Sequence, residues 1–211
     1  METCPNIMKF LLGKKVNMTQ IFDDEGVVHP ATLIHTTPLV VTQVKSKEKD
    51  GYVAIQVGFG TRKATRINKA QKGHFKDRGS FFHVKEFKAV GDKTYAAGDT
   101  IPVNEFKAGD TIEVSAITKG KGFQGVVKRH GFGGGPRSHG QKHSEREPGS
   151  ISGGVRNGGR VPKNMRMAGR MGGNRVTVKN LTVLRVDEAQ GHIFVEGAIP
   201  GKRGTLVEIR G

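Results

Sequence analysis

The sequence is poor in cysteine. Cys4 is the single thiol among 211 residues. One thiol cannot form an internal disulfide, and it cannot supply the several thiolates of a cysteine-cluster zinc site. We therefore expect a protein of a reducing compartment, the cytoplasm.

Long apolar runs are also missing. No stretch approaches the roughly 18 apolar residues that a membrane-spanning helix needs. Near the start, the apolar run from Ile7 to Leu12 is interrupted by Lys9 and is shorter than the core of a secretory signal. The sequence therefore predicts neither a spanning segment nor a membrane partner.

Acidic residues are scarce. Asp and Glu number 19 against 35 Lys and Arg, which gives a net charge of +16. A compact chain with this surplus repels itself unless a polyanion neutralises it, and nucleic acid is the commonest such partner.

The positive charge is concentrated in residues 119–175, which we call the basic segment. It contains 13 basic residues, eight of them Arg, against two acids, Glu145 and Glu147, for a net charge of +11. The other 154 residues carry only +5, and the basic segment also holds 16 of the 31 glycines. This distribution predicts a localised surface for a polyanion, with Arg suited to bidentate phosphate contacts and base stacking.

The flanking regions predict strands. Alternating or β-branched runs include Lys14–Phe22, Val27–His35, Leu39–Lys45, Tyr52–Val57 and Val176–Val186. Helical patterns are weak: 68–75 suits one or two turns, and 84–90 is ambiguous. We predict a mainly β fold, a barrel or sandwich, built from residues 1–118 and 176–211. Residues from about 60 to 100 are a possible subdomain insertion.

The basic segment interrupts this β domain. It has 11 apolar residues in 57, and their burial at about 1.5–3 kcal/mol each cannot offset an ordering cost of about 1–2 kcal/mol per residue. We expect it to be ordered by a polyanionic partner. Phe123, Phe132 and the methionines interleaved with Arg166 and Arg170 distinguish it from a plain cationic linker.

One short stretch in the basic segment, Gly120-Lys-Gly-Phe-Gln-Gly125, matches the dinucleotide-binding pattern G-x-G-x-x-G. That pattern needs a following helix whose N-terminus holds the pyrophosphate. Here Val126–His130 runs straight into Gly131-Phe-Gly-Gly-Gly-Pro136, which leaves no room for a helix of useful length. A flexible turn with its backbone close to phosphate is the preferred interpretation.

The same segment contains residues of two other kinds of site. His130, His139 and His143 lack the carboxylate or thiolate that would complete a zinc site. Ser138 or Ser144 with a histidine and Glu145 would need a rigid scaffold, which a glycine-rich loop does not provide. We favour phosphate and base contacts for these side chains, and predict no metal, no cofactor and no catalysis.

Several motifs are spread over essentially the whole chain. They are Gly13–Phe22, Asp50–Val57, Phe106–Ala116 with Thr118, Gly120–Gly122, Gly125 and Arg129, Pro148–Ile151, Met167–Gly169, Met171-Gly172 and Asn174–Val178. Together they resemble the bacterial form of the universal large-subunit ribosomal protein L three family. Asn17 stands where that family usually has glycine, and Glu113 where it has Asp or Asn.

The resemblance implies a translation-protein-type β-barrel and an extension that runs through ribosomal RNA toward the peptidyl transferase centre. It also implies early assembly near the 3′ end of that RNA. The methylated glutamine of some relatives is not carried over, because the stretch 149–160 contains none. The predicted partners are large-subunit ribosomal RNA and neighbouring large-subunit proteins, with no homo-oligomer. The alternative is a general architectural nucleic-acid-binding protein.

Two sets of residues follow as candidates. The predicted RNA-binding side chains are Lys14, Lys15, Lys119, Lys121, Lys128, Arg129, His130, Arg137, His139, Lys142, His143, Arg146, Arg156, Arg160, Lys163, Arg166, Arg170 and Arg175. The predicted tip near the peptidyl transferase centre is Gly149, Ser150, Ile151, Ser152, Gly153, Gly154, Val155, Arg156 and Asn157.

Overall fold

The structure is a computed structural model that describes residues 9–88, 95–151, 153–154 and 158–211. Within these residues strands dominate. They are β1 (Phe10–Phe22), β2 (Val28–Thr36), β3 (Leu39–Lys45), β4 (Ala54–Thr61), β5 (Phe81–Lys88), β6 (Thr100–Ile101), β7 (Thr111–Ile117), β8 (Gly122–Gln124), β9 (Gly169–Met171), β10 (Arg175–Asp187), β11 (His192–Glu196) and β12 (Leu206–Arg210). The α-helices are α1 (Lys47–Asp50), α2 (Lys69–Phe75) and α3 (Val126–His130), and short 3₁₀ turns cover Ala64–Arg66, Lys76–Arg78 and Val103–Glu105.

Six antiparallel strands close into a barrel in the order β1, β12, β7, β10, β11, β2. Closure pairs every strand on both sides, so the barrel has no open edge. Each strand contributes fully buried aliphatic side chains to the interior, as expected where one face of a strand looks inward. Examples, in chain order, are Leu11, Ile34, Val114, Val183, Val195 and Val207.

A second sheet, in the order β5, β4, β3, β6, shares its core with the barrel. The ring of Phe10 on β1 stacks on that of Phe87 on β5, with centroids 4.4 Å apart and an interplanar angle of 17°. Phe87 is almost fully buried. The two sheets are therefore joined by aromatic packing as well as by chain connections.

The chain forms two compact units. One comprises the described parts of Met1–Ile117 together with Arg175–Gly211, and the other is Thr118–Asn174. We call the first the barrel unit and the second the extension unit. The extension unit contains β8, β9 and α3.

The prediction of a mainly β fold with a barrel is confirmed. The ambiguous run 84–90 belongs to β5 as far as Lys88, and its last two residues lie outside the described part. The connection between β3 and β4, which pair antiparallel, contains one turn of helix, α1, which ends at Gly51 with a φ of 80°.

Candidate nucleic-acid interface

The extension unit starts and ends on neighbouring barrel strands. Ile117 at the end of β7 pairs with Arg175 at the start of β10. One residue further on, the Thr118 N–H donates to the Asn174 carbonyl at 2.9 Å. The pairing then continues through the two-stranded antiparallel ribbon of β8 and β9. The departing and returning chains are thus hydrogen-bonded to each other at the base of the unit.

The glycine-rich stretch 120–125 lies at this base. Gly122 has a φ of 69° and begins β8, and α3 follows directly after Gly125. Helix α3 has only five residues, because Gly131 ends it in the left-handed conformation. Its preceding strand pairs with β9 in a ribbon rather than in a parallel sheet. This arrangement differs from the strand–turn–helix unit that holds a dinucleotide.

Two predicted RNA-binding residues hold the extension unit together. The Arg129 Nη1 donates to the Met167 carbonyl at 2.7 Å, and the His130 Nε2 lies 3.1 Å from the same oxygen. Gly169 packs so close to the Arg129 guanidinium that a Cβ there would come within 2.6 Å of Nη1. Part of the hydrogen-bonding capacity of Arg129 and His130 is therefore used internally.

A loop closes around Glu145. The Gly135 N–H donates to the Glu145 carbonyl at 3.0 Å, and the Arg137 Nε lies 3.7 Å from its carboxylate. Gly134 has a φ of 77°, and a Cβ there would overlap the Glu145 carbonyl oxygen. The glycines of this loop thus permit a close approach of two backbone segments.

The remaining described cations of the extension unit are exposed and form no ion pair with a described acid. They are Lys119, Lys121, Lys128, Lys142, Arg146, Arg160, Lys163, Arg166 and Arg170. His139 and His143 are exposed as well. A set of like charges without acidic partners is the electrostatic arrangement that suits a polyanion.

Exposed apolar side chains accompany these cations. Phe123 on β8 is 77% exposed and pairs across the ribbon with Arg170. Ile151, Val161 and Met165 are also exposed. An aromatic ring beside an arginine can stack on a base, so Phe123 joins the candidates that the charge pattern alone did not select.

The predicted tip is described only in part. Gly149, Ser150, Ile151, Gly153 and Gly154 are exposed and lie in irregular structure. Ser152, Val155, Arg156 and Asn157 lie outside the described residues.

On the barrel unit, the two predicted lysines of β1 differ. The Lys15 Nζ donates to the carbonyls of Ile199 at 2.6 Å and Gly201 at 3.3 Å, in the connection between β11 and β12. Lys14 is exposed, with its Nζ 5.3 Å from the centroid of the Phe82 ring. Lys15 therefore has a structural task, whereas Lys14 remains accessible.

Arg175 is also engaged. Its Nη2 lies 2.5 Å from the Glu208 carboxylate, which Lys85 and Arg210 approach as well. Glu208 therefore forms ion pairs with three cations. Arg175, the first residue of the barrel unit after the extension unit, is thus paired with an acid of the barrel unit.

A second basic stretch was overlooked when charge was counted over the whole β domain. Residues 62–78 contain seven Lys and Arg and one acid, Asp77, for a net charge of +6. Outside this stretch and the basic segment, the chain is nearly neutral. The signal was present in the sequence, but it was averaged into the low charge of the whole β domain.

The described residues contain no group of three or more His, Cys, Asp or Glu side chains arranged to hold a metal ion. None of the described helices has the length and apolar character required to cross a membrane.

Comparison with known proteins identifies similar chains. The family model described as ribosomal protein L3 matches residues 93–196. The chain is 47% identical over 200 residues to the large ribosomal subunit protein uL3 of Herpetosiphon aurantiacus, covering 94% of each protein. It is 44% identical to the protein of that name from Finegoldia magna, covering 96% of this chain and 97% of the relative. For the Chlorobaculum tepidum protein the identity is 46%, over 96% and 98%.

Proposed function

Because the chain belongs to the ribosomal protein L3 family, we propose that it is a structural constituent of the large ribosomal subunit and binds large-subunit ribosomal RNA. The observation that carries this proposal is the extension unit, whose nine exposed cations have no acidic partner among the described residues. Folded ribosomal RNA is a polyanion that would neutralise them.

The barrel unit serves as the rigid anchor. Its closed barrel and second sheet share one core, so the strands from which the extension unit starts and ends are held firmly. The barrel binds near the 3′ end of the large-subunit RNA and does so early in assembly. The extension unit runs between RNA segments toward the peptidyl transferase centre, with residues 149–157 at its tip.

The exposed residues of the extension unit make different kinds of contact with RNA. Arginines 146, 160, 166 and 170 give planar, bidentate contacts to phosphate, and the lysines act as point charges. Phe123 offers a stacking surface for a base. Glycines with positive φ, such as Gly149 and Gly158, let the backbone turn sharply beside RNA.

A smaller group preserves the shape of the extension unit. Arg129 and His130 tie α3 to the carbonyl of Met167. Asn174 and Thr118 close the base. These contacts stabilise the extension unit and involve none of the nine exposed cations. The protein catalyses nothing in this role.

Filter binding with the purified chain tests the proposal. The probes are a transcript of the 3′ region of large-subunit ribosomal RNA and duplex DNA of equal length. We expect the RNA to bind more tightly at matched salt concentration, and cosedimentation with large subunits to survive a high-salt wash. Equal affinity for both probes would favour the general architectural protein instead.

A further inference from the structure

The basic stretch 62–78 lies in the connection between β4 and β5 of the second sheet. It follows β4 and comprises a 3₁₀ turn, α2 and a second 3₁₀ turn. Arg78 is partly buried and donates to the Thr42 carbonyl at 3.1 Å, which fixes the end of the stretch. The other cations are mostly exposed: Lys63, Arg66, Lys69, Lys72 and Lys76. The stretch therefore places five exposed cations on the barrel unit.

An exposed aromatic ring lies near Arg62, where this stretch begins. On β5, Phe81 packs toward Gly58 and the ring of Phe75, whereas Phe82 is 51% exposed. The Lys14 Nζ is 5.3 Å from the centroid of the Phe82 ring, and the Arg62 Cζ is 5.6 Å from it. The ring thus interacts with two cations, Lys14 on β1 and Arg62 directly after β4, by cation–π attraction.

The neighbours of this ring provide no acidic partner for Lys14 or Arg62 among the described residues. His83 meets the Phe82 ring edge-on, with centroids 4.6 Å apart. Burial lowers the pKa of His83, and the nearby charges of Lys14 and Lys85 lower it further. Lys85 is paired with Glu208 at 3.3 Å, but Lys14 and Arg62 have no ion pair with a described acid. Two like charges held at one ring repel each other unless an anion lies between them.

We propose that Lys14, Arg62 and Phe82 form a second RNA-binding site, on the barrel unit, in which the two cations clamp backbone phosphates of ribosomal RNA. Phe82 is the positioning residue, because its ring brings both cations together. The exposed cations of 62–78 extend the site along the RNA backbone. The inference rests on the proposed function for the choice of RNA, but it uses residues outside the extension unit.

The salt dependence of RNA binding by the full-length chain tests this site. The probe is the transcript of the 3′ region of large-subunit ribosomal RNA. The cluster variant carries Lys14→Gln and Arg62→Gln. Each phosphate contact contributes about 0.7–0.9 to the slope of log affinity against log salt. We therefore expect the slope to become shallower by about 1.4–1.8 in the cluster variant.

Two matched double variants serve as controls. Lys47→Gln with Lys49→Gln removes the same charge from α1, where both lysines are exposed and acids flank them, so the slope should stay unchanged. Arg160→Gln with Lys163→Gln removes two exposed cations of the extension unit and should also make the slope shallower. Phe82→Leu should weaken binding while every charge is kept, and melting curves confirm that each variant is folded.

The outcomes separate the two proposals. A normal slope for the cluster variant, with a shallower one for the extension variant, would overturn the second site and leave the proposed function intact. An equal change of slope in the α1 control would show that the slope depends only on the net charge of the chain, and this would also overturn the second site. If neither the cluster variant nor the extension variant changes the slope, the proposed function fails as well.

Discussion

The two neighbouring lysines of β1 should have separable roles. Replacing Lys15 by methionine keeps most of the side-chain stem but removes the ammonium group. The carbonyls of Ile199 and Gly201 then lose their donor, and the connection between β11 and β12 loses its tie to β1. The same substitution at Lys14 removes an exposed charge that does not tie β1 to this connection.

The expected loss of stability follows from these two hydrogen bonds. A bond to a charged group contributes about 1.5–3 kcal/mol to stability. Because Lys15 is only partly buried, water replaces part of the interaction, and we expect about 2 kcal/mol in all. At about 2–4 °C per kcal/mol for a chain of this size, the melting temperature should fall by about 4–8 °C.

Differential scanning calorimetry of the full chain measures this difference, with Lys14→Met as the control. The Lys14 variant should melt close to the unmodified protein but bind ribosomal RNA more weakly. The Lys15 variant, measured well below its melting temperature, should bind RNA normally. Equal melting temperatures for the two variants would refute the structural role assigned to Lys15.

Three further predictions concern packing, backbone conformation and pH. Phe87→Ala should destabilise the barrel unit by about 3–5 kcal/mol, measured by urea unfolding, because it removes a buried stacked ring; a loss under 1 kcal/mol would contradict this. Gly172→Ala places a Cβ at a φ of 75° against a facing carbonyl, so trypsin should cut the extension unit faster, whereas Gly120→Ala, with open space around it, should behave normally. The Lys9 ammonium and a backbone N–H hold the pKa of Asp110 below its usual 3.8. The contribution of the Asp110 carboxylate to stability is therefore fully present above pH 3.8 and is lost as the pH falls through the lowered pKa. Asp110→Asn should therefore flatten the decline of stability in acid melts, and an unchanged decline would argue against the pair.

Sequence patterns predicted most strands because alternation reflects burial on one face. Turn residues mark where strands begin, and Gly98-Asp99 and Gly109-Asp110 precede β6 and β7. In each, a glycine has positive φ and the following Asp accepts a backbone N–H three residues earlier. Alternation does not encode the partner of a strand, however. It could not show that β6 joins the second sheet whereas β7 joins the barrel.

The RNA-binding role of the basic segment stays a prediction, and charge counting treated all of its cations as equivalent. The structure distinguishes Lys15, Arg129 and Arg175, which have hydrogen-bonding or ionic partners within the protein, from cations that have none. Such partners lie up to 186 residues away in sequence, so no local pattern could reveal them.

The second basic stretch was missed for a different reason. Its charge is evident in a window of 17 residues, but the β domain was assessed as a whole. Phe82 is one of two consecutive phenylalanines, and only the pairing of β4 with β5 shows which of them faces outward. Counting charge over shorter windows would have found the cations of this stretch, but it would not have shown that the Phe82 ring lies near Lys14 and Arg62.

The most direct measurement of the central claim is the salt dependence of RNA binding when six exposed cations of the extension unit are neutralised. In the variant, Lys128, Lys142, Arg146, Arg160, Lys163 and Arg166 are replaced by glutamine. If these six cations contact phosphates, the slope should become shallower by about 4–5, with the melting temperature of the barrel unit unchanged. An unchanged slope in a folded variant would contradict the claim that the extension unit binds ribosomal RNA.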